Sequence, residues 1–363
     1  MGGDEASGGT TGTDAERRLA LDLAARLRAG GREARVQPLW VRPAWWLVQA
    51  ACAAAGVVAS VLAVGSALAG VIVAGVALVL AIGDLTRMPL LRRLTPARAS
   101  QNVVSPPPPR PGARPVTLIV TAPVDRPRQG LERRLGLPLL ALSIASLALV
   151  AGCAGVRLAG VGDGWIGAVQ LVPTIVLLVA VAGFLDQGVA APVGDDRAPQ
   201  AAVELVHRLD AAPPRNLDVA VVLAGAGSAH AAGLRRWLDG RRRRGRRPQD
   251  VALLDLESWP PAGEGVVWWR RNGLVLAAAL HPQLCAAAQA AAMDLPEPAR
   301  TRSAPDATGA GVARGRGWPA IAVGVGDERR RCVDFALDLV RQLDAQLGLD
   351  APPVRGVESR VEA

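Results

Sequence analysis

Apolar positions along this chain follow two patterns. In the first, four stretches carry no charged residue and come in two pairs. One pair runs unbroken from Pro43 to Gly83; the other is Leu135–Val156 and Gly164–Leu185. A single helix over Pro43–Gly83 would be roughly 60 Å long, about twice the hydrocarbon thickness of a bilayer. Two spans with a tight turn at Gly65-Ser66 resolve the mismatch. Small residues (Gly56, Ser60, Gly70, Gly75) recur through both spans and would let helix backbones approach closely. Trp40, Trp45 and Trp46 stand at the entrance, where indoles favour the headgroup layer, and Trp165 is placed to anchor the far interface. Arg157–Asp163 joins the second pair, and Pro173 falls inside the fourth span. The competing reading of Pro43–Gly83 is a buried hairpin of a soluble protein.

In the second pattern the apolar runs are short. Asp14–Ala29 places Leu19, Leu21, Leu23, Ala24 and Leu27 at helical spacing and stops at Gly30-Gly31. Arg35–Val41 alternates as a strand does. Val116–Ala122, Val219–Ala224, Val251–Leu256, Leu274–Leu280 and Ala320–Val325 are bounded by turn residues and read as buried strands. Helical segments lie between or after them, at Pro199–Ala211, Ala231–Arg242, Pro282–Met293 and Glu328–Leu347. Strands alternating with helices predict an α/β fold, a three-layer sandwich with a mostly parallel mixed sheet, interrupted by two transmembrane helical hairpins. The expected layout is a tail at 1–13, the start of the soluble domain at 14–42, hairpin one at 43–84 and more soluble domain at 85–134. Hairpin two follows at 135–186, the rest of the domain at 187–348 and a second tail at 349–363. Residues 105–115 form a Pro-rich, extended linker. Residues 298–317 read as a loop.

Composition refines this picture. The net charge is +9, all 41 basic residues are Arg, and Tyr is absent. No aromatics are interleaved with the Arg, so a nucleic-acid partner is not expected. The Arg residues instead flank the spans: Arg32, Arg35 and Arg42, then Arg87, Arg92, Arg93 and Arg98, then Arg126, Arg128, Arg133 and Arg134. The two hairpin turns carry only Arg157. By the positive-inside rule the expected location is a multi-pass cell-membrane protein with both termini and the soluble domain in the cytoplasm. Arg241, Arg242, Arg243, Arg244, Arg246 and Arg247 form a dense cationic run, suited either to solvent or to anionic lipid headgroups. Four cysteines without a CxxC pair (Cys52, Cys153, Cys285, Cys332) argue against a disulfide framework.

Candidate chemistry gathers at the carboxyl ends of the expected strands. There the chain carries Ala122-Pro123-Val124-Asp125, then Gly194-Asp195-Asp196-Arg197 before a helix. Gly225 to His230 follow, then Asp255-Leu256-Glu257, and later Gly317-Trp318-Pro319-Ala320. In this order, with Ser100–Val104 upstream, these segments resemble the di-zinc exopeptidases, a family that includes bacterial aminopeptidases and glutamate carboxypeptidase. The resemblance runs from about Asp14 to Leu347, with the spans as insertions. It implies a peptide-hydrolysing three-layer α/β domain with two zinc ions. Two metal-ligand histidines would fall at Pro123 and Ala310, a bridging carboxylate at Asp196, and a general base and ligand Glu at Gly227 and Ser228. A further ligand would fall at Asp255, and Asp125 would orient the first histidine.

Only Asp196 and Asp255 of that set can hold a metal. The expectation is a peptidase-like pseudoenzyme without catalytic residues, cofactor or confident metal ligands, serving as a scaffold or binding protein. The alternative is an active membrane-bound zinc aminopeptidase with a rebuilt site, for which His230 is the candidate compensating ligand beside Asp196 and Asp255. Plain structural roles for the two carboxylates are a helix N-cap for Asp196 and a strand-end turn for Asp255. His207 is expected on a helix surface and His281 at a helix start.

Overall fold

The computed structural model describes residues 9–86, 90–112, 114–128, 130–131, 138–160, 163–193, 195–245, 247–258, 265–273, 277–295, 297, 299–304 and 308–350. Arg87, Arg133, Arg134, Gly194, Arg246 and positions 274–276 of an expected strand lie outside them, as does nearly all of the expected C-terminal tail.

Nine strands form one sheet in the order β1-β2-β4-β3-β5-β9-β6-β7, with β8 on β6. They are β1 Arg35–Val41, β2 Arg98–Ser105, β3 Val116–Pro123, β4 Leu217–Ala224, β5 Val251–Ser258, β6 Val267–Asn272, β7 Ala278–Ala279, β8 Arg300–Ala304 and β9 Ala320–Val325. The centre, β4-β3-β5-β9, is parallel; β2 and β6 join it antiparallel, and β1 pairs antiparallel with β2. Successive side chains of a strand point to opposite faces. Leu118, Val120 and Ala122 accordingly pack with one helical layer and Ile119 with the other. The first layer holds α1 Asp14–Ala29, α6 Arg197–Ala211, α8 Pro282–Met293 and α10 Arg329–Asp350; the second holds α7 Ala232–Arg243 and α9 Gly309–Arg314. This is the expected three-layer sandwich.

The four remaining helices are α2 Trp45–Gly65, α3 Ala67–Leu85, α4 Leu139–Leu158 and α5 Asp163–Val189, each long and apolar enough to cross a bilayer. One hairpin is inserted between β1 and β2, the other between β3 and α6. They pack on one another into a second apolar cluster built around Ala53, Leu147, Leu177 and Phe184. The first hairpin turns at Ser66, whose hydroxyl accepts from Ala69 N–H. Ser60, Gln170 and Thr174 link α2 to α5 inside the bundle, at 2.6–2.7 Å. Where the helices meet the sandwich, Arg92 grips Asp84 at the end of α3 (Nε–Oδ1 2.8 Å), both side chains being buried.

Several expectations are corrected. Residues 9–13, assigned to a tail, are packed: Thr13 caps α1 by accepting from Glu16 N–H, and Thr11 is buried. Leu21 is exposed, and the buried stripe of α1 is Glu16, Leu19, Ala20, Leu23, Ala24 and Leu27. In the described part of Leu274–Leu280, residues 277–280, the strand is the short β7; the longer strand nearby is β6, whose Trp268 and Trp269 face opposite layers. The stretch 298–317 contains β8 and α9. Its alternating Arg-Thr-Arg-Ser suits a strand with little apolar surface to bury, which hides it from a search for apolar runs. Trp45 is not an interface anchor, because it is buried against Phe184 with ring centroids 6.1 Å apart. Trp40 and Trp165 are exposed.

Candidate functional site

β3 and β4 run parallel and in register to their ends, with Pro123 opposite Ala224. That register sets Asp125, two residues past β3, beside the loop that leaves β4 at Gly225. The loop is backbone-strained: Ala226, His230 and Ala231 all adopt positive φ, at 54°, 58° and 51°. Left-handed geometry costs a residue with a Cβ on the order of 1–2 kcal/mol, so other interactions must hold the loop in place.

They are side-chain acceptors on four consecutive amides. Gly225 N–H donates to Asn102 Oδ1 (3.0 Å) and Ala226 N–H to Glu16 Oε1 (3.3 Å). Gly227 N–H and Ser228 N–H donate to the two oxygens of Asp125, the latter at 3.1 Å. Asp125 also accepts from the hydroxyls of Ser228 (2.5 Å) and Thr11 (2.6 Å). A concave row of amides of this kind binds anions. Here three of the four amides are taken by the protein's own carboxyl groups, Glu16 and Asp125.

Glu16 stands behind this loop, accepting from Ser100 Oγ (2.6 Å) and Gly12 N–H (2.6 Å). Burial, and then the neighbouring charge of Asp125, push its carboxyl up to about 7, against the opposing pull of its hydrogen bonds.

The remaining positions have separate partners. Asp196 pairs with Arg126 at 3.2 Å. It occupies the N-cap position of α6 without a side-chain capping bond, and it is Asp195 that accepts from Arg197 N–H (3.0 Å). Asp255 is not a turn residue; it lies within β5, buried, and accepts from Ala310 N–H (2.7 Å). Glu257 accepts from Gly309 N–H (3.0 Å) and shares a hydrogen bond with Asp255. Burial raises the carboxyl of Asp255. His230 faces the foot of α2, its ring 4.5 Å from that of Trp45 and its Nε2 buried without a partner among the described residues. Burial, followed by Arg92 and Arg235, holds its pKa well below the usual imidazole value, so it is neutral. The proposed compensating ligand is thus turned toward the membrane helices. His207 is half-buried against Gly30, and His281 sits at the N-cap of α8 as expected.

Zinc ions take N, O or S donors. Pro123, Gly227 and Ala310 have no such side chain, the Ser228 hydroxyl is committed to Asp125, and Asp196 is committed to Arg126. Among the described residues no three His, Cys, Asp or Glu side chains are grouped to hold a metal ion. A Cβ built on Gly227 would lie 2.6 Å from Pro123 Cβ and 3.1 Å from Asp125 Oδ1. A glutamate base therefore does not fit there while Pro123 stands opposite. The donor set does not fit a zinc pair.

The sequence does not point to Thr11 and Glu16, and it gives Asn102 and Glu257 only as members of the quoted segments, without a role. Glu16 had a signal: it falls on the apolar stripe of α1, three and four residues before Leu19 and Ala20. Glu257 follows Asp255 by two, on the same face of one strand.

No family model and no curated protein matches the chain. Among solved structures it is similar to a zinc aminopeptidase from Bacillus subtilis, at 11% identity, 93% of this chain, 91% of that chain and a TM-score of 0.48. An aminopeptidase from Aneurinibacillus sp. strain AM-1 gives 8%, 94%, 90% and 0.48. A glutaminyl cyclase from Fimbriiglobus ruber gives 14%, 93%, 90% and 0.46.

Proposed function

We propose that this chain is a membrane-anchored pseudo-peptidase: a zinc-exopeptidase-like α/β domain without metal chemistry that serves as a scaffold or binding module. The observation that carries this reading is the loop at residues 225–228, closed onto Asp125 and Glu16 where a peptidase of this kind would keep a ligand Glu and a general base. With Pro123 packed against Gly227, no side chain is available there to take a proton from a metal-bound water, and metal-assisted hydrolysis needs such a base.

The membrane placement is part of the proposal. Both termini and the α/β domain lie on the cytoplasmic side, following the Arg residues that flank the helices. Arg241–Arg244 and Arg247, at and after the end of α7, meet anionic lipid headgroups; Arg241 lies over the ring of Trp237, 4.7 Å from its centroid.

Purified full-length protein, assayed on aminoacyl p-nitroanilides with added zinc, is expected to release no product above a protein-free blank. Chelator-sensitive turnover would establish instead an active aminopeptidase with a rebuilt metal site. For the topology, a cysteine introduced at Pro108 in the linker is expected to resist a membrane-impermeant maleimide in intact cells and to react after lysis. Labelling in intact cells would reverse the orientation.

A further inference from the structure

We propose that the cavity at the foot of α2 binds one anionic phospholipid, with its phosphodiester held between Arg98 and Arg128. The cavity measures ≈ 250 Å³ and lies between the closed loop and the start of the membrane helices. Thr11 and Ser228, whose hydroxyls are held by Asp125, line its inner end; Trp45, Trp46 and Leu47, from the first turn of α2, form an apolar wall. Among the described residues no Asp or Glu lines it, whereas Arg98 and Arg128 do.

The two arginines are differently prepared. Arg128 is fixed: its Nη1 donates to the carbonyls of Gly188 (2.9 Å) and Ala190 (3.1 Å) at the end of α5, and its guanidinium lies 5.8 Å from the Trp46 ring centroid. The side chain of Arg98, at the exposed start of β2, makes no hydrogen bond or ion pair among the described residues. Two cationic groups over a largely apolar cavity complement a phosphodiester whose glycerol and acyl chains follow the apolar wall.

A lipid fits better than a free anion because of where the cavity opens. Leu47 continues onto the exposed apolar surface of α2, through Val58, Val61 and Leu62. An acyl chain leaving the cavity along that surface stays in hydrocarbon, while the headgroup remains in the layer favoured by indoles. This inference rests on the four helices crossing a bilayer and is independent of whether the α/β domain hydrolyses anything.

The test is native mass spectrometry of the full chain, relipidated with phosphatidylglycerol or with phosphatidylcholine and washed in mild detergent. One retained phosphatidylglycerol per chain is expected, with little phosphatidylcholine. Arg98→Gln and Arg128→Gln should each weaken retention about fivefold, and Arg341→Gln, at an exposed position of α10 that does not line the cavity, should leave it unchanged. The Arg98 side chain has no polar partner among the described residues, so its variant decides the matter if Arg128→Gln unfolds. Equal retention of both lipids, or undiminished retention by Arg98→Gln, would overturn the proposal. So would displacement of the lipid by millimolar inorganic phosphate, which would assign the site to a soluble anion. Loss of the chain from carbonate-washed membranes would instead defeat the bilayer placement itself.

Discussion

At the scale of single residues, Asp125 is the pivot. Its carboxylate is buried and accepts from two amides and two hydroxyls. Replacing it by alanine would leave those donors facing protein with no acceptor, and a lost charged acceptor in a buried network costs about 2–4 kcal/mol. Asp125→Ala is therefore expected to lower the denaturation midpoint strongly in a detergent urea titration, while Asp125→Asn, which keeps one acceptor oxygen, should cost less. Ala231→Gly should act in the opposite direction, since the residue sits at φ 51°. Relief of left-handed strain, less the greater freedom of glycine in the unfolded chain, should raise stability by up to about 1 kcal/mol.

Glu16 gives a pH prediction at the same scale. Its carboxyl is raised in the folded chain from 4.5 to about 7. A raised carboxyl binds its proton more tightly when folded, so its stabilising contribution is complete below pH 4.5 and is lost as pH climbs through 7. The shift corresponds to on the order of 3 kcal/mol. Asp255, also raised, slopes the same way, while His230, lowered, loses stability toward acid. The informative quantity is accordingly a difference. Comparing wild type with Glu16→Gln at pH 5 and pH 8 should show the variant losing less stability at the higher pH. Parallel pH profiles would mean that Glu16 ionises normally.

At the scale of elements, the apolar helices pack through small residues. A Cβ on Gly70 would lie 2.5 Å from Ala63 Cβ and 3.1 Å from the Ala59 carbonyl oxygen. Gly70→Val must therefore push α3 off α2, at about 1–3 kcal/mol. A lower temperature of aggregation in detergent would register this, while Gly75→Val, where the added Cβ meets nothing within 4 Å, should have little effect.

The same elements indicate what a sequence makes legible. The membrane helices and the parallel core strands were readable because burial there demands unbroken apolar runs. β2 was not, since its inward side chains include Ser100 and Asn102, which are buried to serve Glu16 and the 225–233 backbone. β8 and α9 escaped for want of an apolar run. At the site, the residues at the strand ends could be read one by one. The hydrogen-bond partners of the 225–228 loop could not, because Thr11, Glu16 and Asn102 come from α1, its leading turn and β2, which only the fold brings to the end of β4.

At the scale of the whole molecule, two apolar hairpins are inserted into one α/β sandwich and are tied to it by arginine. Arg92 holds the end of α3 through Asp84, Arg128 holds the end of α5, and Arg42 donates to the carbonyls of Arg92 and Thr95. Cationic side chains at helix C-termini also complement the helix dipole. Arg92→Ala would strand a buried carboxylate, and breaking a buried pair from one side costs about 3–5 kcal/mol. The expected result is loosened contact between bundle and sandwich, visible as faster proteolysis between residues 86 and 98 with the helices still in the membrane.

The central claim is that the residues which close this loop have taken the place of a metal centre. The zinc content of the purified full-length protein, measured by inductively coupled plasma mass spectrometry after dialysis against micromolar zinc, addresses it most directly. The expected result is far less than one zinc per chain, unchanged by Asp255→Asn. Two zinc ions per chain, reduced by Asp196→Asn or Asp255→Asn, would contradict it.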